Sequence, residues 1–208
     1  MLKKKKIIVY FVSILMIIVS FGFAFDTIIK DNDHLTMLQV DEISIGCIKK
    51  EYPWCQGSLI VKSPINKVLE VVEDVEDYYK FFDSLSLSKI NDKDEVRIRI
   101  NMPLPFTDRD YTVFFNMSEQ DNEILYSYKP VISNDYPVER GCVRLINAQG
   151  EWYLKAITDN KTLVKYTWNG QMLGNFPHWA YKKAWIQQGN EILSCLSEEV
   201  ERRKNDKN

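Results

Sequence analysis

NFPHWAYKKAWIQQGNEILSCLSEEVERRK, residues 175–204, reads as one amphipathic helix. From Trp185 onward, Trp185, Ile186, Gly189, Ile192, Leu193, Leu196 and Val200 fall within roughly 120° of one helical face. Glu198, Glu199, Arg202 and Arg203 lie mostly off that face. Asn175 is a capping residue type and Pro177 has a fixed φ suited to a first turn. The helix is therefore expected to start there and to run about 40 Å at 1.5 Å per residue. Its stripe is too apolar to face water, and most of the chain between residues 42 and 170 has the pattern of strands, so the expected partner is a curved sheet. Gly189 sits near the centre of the stripe, where Gly costs about 1 kcal/mol relative to Ala. Two explanations stand side by side: close packing of helix on sheet, or a notch kept open for a ligand.

The strands are read from period-two alternation. Val96, Ile98, Ile100 and Met102 point one way, and Arg97, Arg99 and Asn101 the other. After the turn 103–110 the alternation resumes with Tyr111, Val113, Phe115 and Met117, then with Ile124, Tyr126 and Tyr128. Further strands are expected at 141–147, 151–158 and 162–169, with turns at 148–150 and 159–161. Strands so regularly spaced form an antiparallel meander. Ser63-Pro64 opens a shorter helix through Val68, Leu69, Val71, Val72 and Val75 that ends near 77–79, with Ser63 as cap. Its acidic residues Glu70, Glu73, Asp74, Glu76 and Asp77 read as a solvated face.

Residues 42–49 and 55–62 form a hairpin around Glu51-Tyr52-Pro53-Trp54. Centred on residue 51, positions that sum to 102 face each other, so Cys47 lies opposite Cys55 and within disulfide reach. The alternative is two reduced cysteines used as small apolar fillers. No CxxC pair or clustered His accompanies them, so a metal site is not expected.

A chain of 208 residues, 45% of them apolar and 12% aromatic, fits one domain plus a targeting segment. Residues 1–24 combine Lys3 to Lys6 with the apolar run Ile7 to Phe21 and then Gly22-Phe23-Ala24, the pattern of a secretory signal peptide cut before Phe25. An uncleaved anchor is the rival, since Ile7 to Phe25 is 19 residues and just spans a bilayer. Either way the remainder is exported, to the bacterial periplasm or tethered to the inner membrane, where oxidising conditions favour a disulfide. Residues 25–39, with His34, read as a spacer or short helix. Removing Lys3 to Lys6 from 27 Lys and Arg leaves 23 against 29 Asp and Glu, a net charge of −6. That balance argues against nucleic acid as a partner.

The order strand, strand, helix, meander, long helix resembles the helix-grip fold, an α+β architecture in which a curved antiparallel sheet wraps the C-terminal helix. Pro103-Leu104-Pro105-Phe106-Thr107-Asp108-Arg109-Asp110-Tyr111 resembles the "PWPxxxRD" signature of START domains, the steroidogenic acute regulatory protein-related lipid transfer domains. Gly141-Cys142-Val143-Arg144 before Gly150-Glu151-Trp152, and Gly174-Asn175-Phe176-Pro177-His178-Trp179 at the start of the last helix, are similar to further family motifs. The likeness covers about residues 40–204 and extends to the wider Bet v 1-like superfamily, which includes polyketide cyclases. Leu104 stands where the family often has Trp, and the family's Trp-rich N-terminal helix has no counterpart.

The resemblance implies one hydrophobic ligand held between the concave sheet and the C-terminal helix. Ile98, Ile100, Tyr111, Phe115, Tyr126, Tyr128, Tyr166 and Trp168 would face it from the sheet, and Gly189, Ile192 and Leu193 from the helix. Arg144 is a candidate polar contact, because either strand face there is an acceptable inward one. Arg109 would tie the turn to neighbouring carbonyls or carboxylates, with a head-group contact as the alternative, and Arg99 would be solvated on the outer face. Phe176, Trp179 and Ala180 are rotated about 100° from the later stripe and would pack a loop or form a gate in contact with a membrane.

The function so implied is a monomeric envelope carrier or sensor for a lipid or other apolar small molecule, touching a membrane transiently. A cyclase-like enzyme of the same superfamily is the alternative, and an interaction protein whose cavity is filled by Trp152, Trp168 and Trp185 is the third. The sequence has no GxSxG, HExxH, P-loop or GxGxxG motif, so no catalytic residue and no cofactor are expected.

Overall fold

The computed structural model describes residues 25–30, 33 and 35–206. The signal peptide or anchor expected of residues 1–24, and His34, lie outside these residues. The elements in chain order are β1 (Thr36–Val40), β2 (Ile43–Lys49), β3 (Pro53–Val61), α1 (Ile65–Val72), α2 (Tyr78–Phe81), β4 (Leu85–Ile90), β5 (Glu95–Ile100), β6 (Asp108–Gln120), β7 (Glu123–Pro130), β8 (Cys142–Arg144), β9 (Gly150–Thr158), β10 (Lys161–Asn169) and α3 (Tyr181–Asn205). The strands make one curved, unclosed sheet in the order β1-β2-β3-β10-β9-β7-β6-β5-β4, with β8 beside β6. All pairs are antiparallel except β6 with β8. Helix α3 lies in the concavity, as the helix-grip fold requires. No helix among the described residues is long and apolar enough to cross a membrane.

Alternation accounts for the inner face. Cys55, Gly57, Leu59 and Val61 of β3 are buried between less buried neighbours, and so is Val164 of β10. Across them, Leu193 and Leu196 of α3 and Val68, Val71 and Val72 of α1 are fully buried. Burial at roughly 25 cal/mol per Å² of apolar surface makes this seam the main stabilising contact. Two glycines set its closeness. A Cβ on Gly57 would lie 2.6 Å from Leu193 Cδ1, and one on Gly189 would lie 2.7 Å from Trp168 Cη2. The space opposite Gly189 is thus filled by an indole ring, and close packing is the explanation the structure gives.

The first hairpin has the expected register, with Ser44 opposite Ser58, Cys47 opposite Cys55 and Lys49 opposite Pro53. Cys47 and Cys55 form a disulfide, their Cα atoms 4.0 Å apart. Residues 25–39 differ from the expected spacer or short helix. Thr36–Val40 adds an edge strand to β2, Ile29 is buried, and the Ile28 N–H donates to Glu151 Oε1 at 2.9 Å.

Both helix starts also differ. Pro64, not Ser63, holds the cap position of α1, and α1 ends at Val72, whose carbonyl accepts from the Tyr78 hydroxyl. Helix α3 begins at Tyr181 rather than near Asn175, because Gly174 has φ 63° and Pro177 is extended, leaving only a 3-10 turn at His178–Ala180 before it. The expected strand 141–147 shortens to the three residues of β8, which run parallel to β6. Glu199, placed off the stripe by its charge, is buried and accepts from Arg202 and Arg203, while Arg203 reaches Asp74 at 2.6 Å and locks the end of α3 to the segment after α1.

Candidate ligand-binding site

The RD turn is built from two sets of contacts on opposite sides of β6. Asp110 is fully buried and bound by Arg97 at 2.8 Å and by Arg144 through Nε at 2.7 Å and Nη2 at 2.8 Å. Burial opposes its ionisation, but the hydrogen bonds from Arg144 and Arg97 outweigh it and hold the carboxyl below its usual range. Arg144 also donates to the Tyr136 carbonyl at 3.0 Å, so its Nε and Nη2 are engaged here, and it borders neither the cleft nor the voids described below. The reason is topological: β8 pairs in parallel beside β6, which aims Arg144 at Asp110 and away from the concavity. Arg99 is not simply solvated either, since it binds Asp108 at 2.8 Å and Glu139 at 3.2 Å.

Arg109, the residue between these acids, points the other way. It is buried and donates to the carbonyls of Met172 (3.2 Å), Leu173 (3.0 Å) and Thr107. Its guanidinium lies 5.6 Å from the centre of the Phe176 ring. The sequence expectation that Arg109 anchors the turn to carbonyls holds, and the anchored partner is the 170–176 segment that precedes α3. Burial pulls its pKa down, without a carboxylate in hydrogen-bond contact to restore it. Above this anchor a small apolar cluster of Met172, Phe176 and Ala180, with Met102, Phe106, Tyr181, Ala184 and Trp185 against it, stands apart from the main core.

Three spaces follow from this arrangement. A cleft of about 290 Å³ lies between the 102–106 turn, the 170–176 segment and the first turns of α3. Behind it, between sheet and helix, are two voids of about 30 Å³ each, room for roughly one or two waters apiece. Ile100 and Gln188 border all three, so the spaces form one line leading inward from the cleft. The line is interrupted by a column of rings: Phe82 on Trp152 (6.4 Å between centroids), Trp152 on Tyr166 (4.3 Å), and Tyr166 on Trp168 (5.1 Å). Tyr128 and Tyr166 share a hydroxyl contact of 3.1 Å beside it. Burial pushes the Tyr78, Tyr111 and Tyr128 hydroxyls well above the usual range and Tyr166 up to about 12, so all four are neutral donors near pH 7.

Of the residues expected to line a ligand, Ile98, Ile100, Tyr111, Phe115, Tyr128, Tyr166, Trp168 and Ile192 border the inner voids. Tyr126 stacks on Phe115 at 4.9 Å instead, while Gly189 and Leu193 serve the helix-to-sheet seam. Sequence reasoning missed Gln188, which stands three residues after Trp185 and four before Ile192 and therefore lies on the stripe. It also missed the amides at the outer void: Asn147, Gln149 and Gln171, carried by loops without periodicity, and Asn169 at the end of β10. Phe176 and Ala180 are buried as loop packing, whereas Trp179 is 83% exposed at the rim of the cleft.

No protein-family model matches the sequence, and no curated protein matches it. Solved structures do. Human StAR-related lipid transfer protein 5 superposes with a TM-score of 0.77 at 14% identity, over 84% of this chain and 90% of that one. A STAR-related lipid transfer protein from Xanthomonas axonopodis gives 0.69 at 19% identity, over 81% of this chain and 99% of that one. The chain has the START fold. An aromatase/cyclase from a Streptomyces species gives 0.50 at 17% identity, over 72% of this chain and 94% of that one. At these identities the likeness fixes the architecture, and the function has to come from the site.

Proposed function

We propose that residues 40–204 bind an apolar small molecule or lipid between the sheet and α3, and that the chain is a monomeric, non-enzymatic carrier or sensor of the cell envelope. The observation that carries this reading is the line of spaces running inward past Ile100 and Gln188 from a 290 Å³ cleft. Its volume is near the lower end of small-molecule sites, roughly 300 to 1,000 Å³. Aromatic and aliphatic walls of this kind take up a ligand by removing its apolar surface from water.

The Cys47–Cys55 disulfide and the N-terminal sequence support export. Contact with a membrane is supported by the rim of the cleft, where Trp179 is 83% exposed with Lys182 and Lys183 beside it, and by Leu104, 94% exposed next to the cleft residue Pro103. A cyclase-like activity would need an acid or base near the ligand, and tyrosines are the titratable groups bordering the inner voids.

The test is native mass spectrometry with organic extraction on the full chain isolated from a cell envelope in mild detergent. A co-purifying apolar species names the ligand class and leads to transfer assays between vesicles. A chain that is empty and refuses sterols, phospholipids and isoprenoid quinones would show that the aromatic column simply fills the fold.

A further inference from the structure

The interior holds more hydrogen-bond donors than it can use. Trp168 is 2% exposed, and its Nε1–H has no acceptor among the described residues. Trp185 shows the usual state, donating to the Gly170 carbonyl at 2.8 Å. An unmet buried donor costs about 1–3 kcal/mol, so native proteins rarely retain one without a role. Trp168 borders the outer void together with Tyr128 and Tyr166. Those two hydroxyls bond each other at 3.1 Å, and since each carries one proton, one of the two protons is left over. Two spare donors are thus carried by residues that border a space at the inner end of the cleft.

The same space lacks countercharge. Neither inner void is bordered by Asp, Glu, Lys, Arg or His; the outer one is ringed by the amides Asn147, Gln149, Asn169, Gln171 and Gln188. An ion moved there would lose its hydration without gaining a partner. The charged residues Arg109, Lys183 and Glu191 stand at the outer cleft; Arg109 is taken up by the Met172, Leu173 and Thr107 carbonyls, and Glu191 is engaged by the Ser84 N–H at 2.7 Å. The ring column behind Trp168 limits how deep a ligand passes.

Building on the ligand site argued above, we propose that its occupant is an uncharged, modest-sized apolar molecule bearing a hydrogen-bond acceptor, such as a ketone or ester carbonyl, which Trp168 Nε1–H receives. A charged lipid head group belongs outside, at the rim.

The probes are methyl decanoate, decanoate and undecane, matched in chain but differing in the polar end, titrated into the full chain. The ester is expected to bind at least about fivefold more tightly than the alkane, the worth of one hydrogen bond, and more tightly than the carboxylate. In Trp168→Phe, which keeps a ring and deletes the donor, the ester should lose that advantage while undecane still binds. A second readout on the unaltered chain keeps the test decisive if this variant folds poorly. Among the indole N–H signals of the five tryptophans, one should move downfield on adding ester and stay in place with undecane. Equal affinity for ester and alkane, an ester advantage that survives Trp168→Phe, or no such indole shift overturns the proposal. If none of the three probes binds, the ligand-site reading itself is overturned, and this inference with it.

Discussion

Replacing Gly189 by Ala places a methyl group where the Trp168 ring already is. The added Cβ would stand 2.7 Å from Trp168 Cη2 and 3.2 Å from Ile45 Cδ1, whereas carbon atoms in good contact are about 3.5–4.0 Å apart. The indole would have to retreat by about 0.8 Å to relieve this, yet it is 2% exposed and stacked on Tyr166 with rings 15° from parallel. Overpacking of this kind costs about 1–3 kcal/mol. It is offset by the gain of about 1 kcal/mol when Ala replaces Gly within a helix. The net expectation is a loss of up to about 2 kcal/mol, read as a lower urea midpoint at unchanged slope. An open notch would give the opposite sign, a gain of about 1 kcal/mol from helix propensity alone. In a Trp168→Phe background, where the offending atom is gone, the same Ala should be tolerated or stabilising. The reasoning is refuted if Gly189→Ala stabilises the unaltered chain, or if its effect is the same in both backgrounds.

Three other perturbations probe different parts. Arg109→Met should cost about 3 kcal/mol by leaving the Met172 and Leu173 carbonyls unbonded, and should speed amide exchange across residues 170–176; unchanged protection there would count against the anchor. Intact mass should rise by two hydrogens on reduction, the crosslinked peptide should contain Cys47 and Cys55, and reduction should destabilise by about 2.5 kcal/mol for a bridge of sequence separation 8. Two alkylatable thiols at these positions before reduction would exclude the bond. Burial raises Glu151 from 4.5 to about 7, so the folded state holds a proton that the unfolded state releases. Stability is then greatest below pH 4.5 as far as this group is concerned and declines as pH rises to about 7, by up to about 3 kcal/mol. Urea midpoints at pH 5 and pH 8 should differ in the unaltered chain and much less in Glu151→Gln; no difference between the two proteins would refute the assignment.

The elements most legible in sequence were those whose pattern repeats. Centring the first hairpin on residue 51 yielded both its register and the Cys47–Cys55 pair, since a two-residue error would have opposed different side chains. Alternation put Ile98, Tyr111 and Tyr128 on faces shared with their apolar neighbours, and these border the inner voids. Periodicity fails where both faces are covered. Arg97 is buried because Glu139 and Tyr136 of the 131–141 segment lie over it, although its alternation is that of an outward residue. Arg144 sits in a strand too short to show any period, so its aim at Asp110 could not be read. Charge misled at Glu199, where neutralisation by Arg202 and Arg203 permits burial. Pro177 misled as a helix start because its extended ψ of 134° sends the chain into a turn first. Gln188 was passed over for its polarity although its position on the helix matched the stripe.

The separation of the Met172–Phe176–Ala180 cluster from the main core divides the molecule's cooperativity. Displacing the 170–176 segment disrupts that small cluster and the two Arg109 hydrogen bonds to Met172 and Leu173, while Leu154, Val164, Leu193 and Leu196 keep their contacts. Sub-global opening at the mouth therefore has a free energy set by a handful of side chains, well below that of global unfolding. Exchange of a bound molecule with the surroundings is thereby uncoupled from the integrity of the sheet. Substitutions at Phe106 or Phe176 should tune how fast molecules enter and leave while barely altering the temperature at which the whole domain melts.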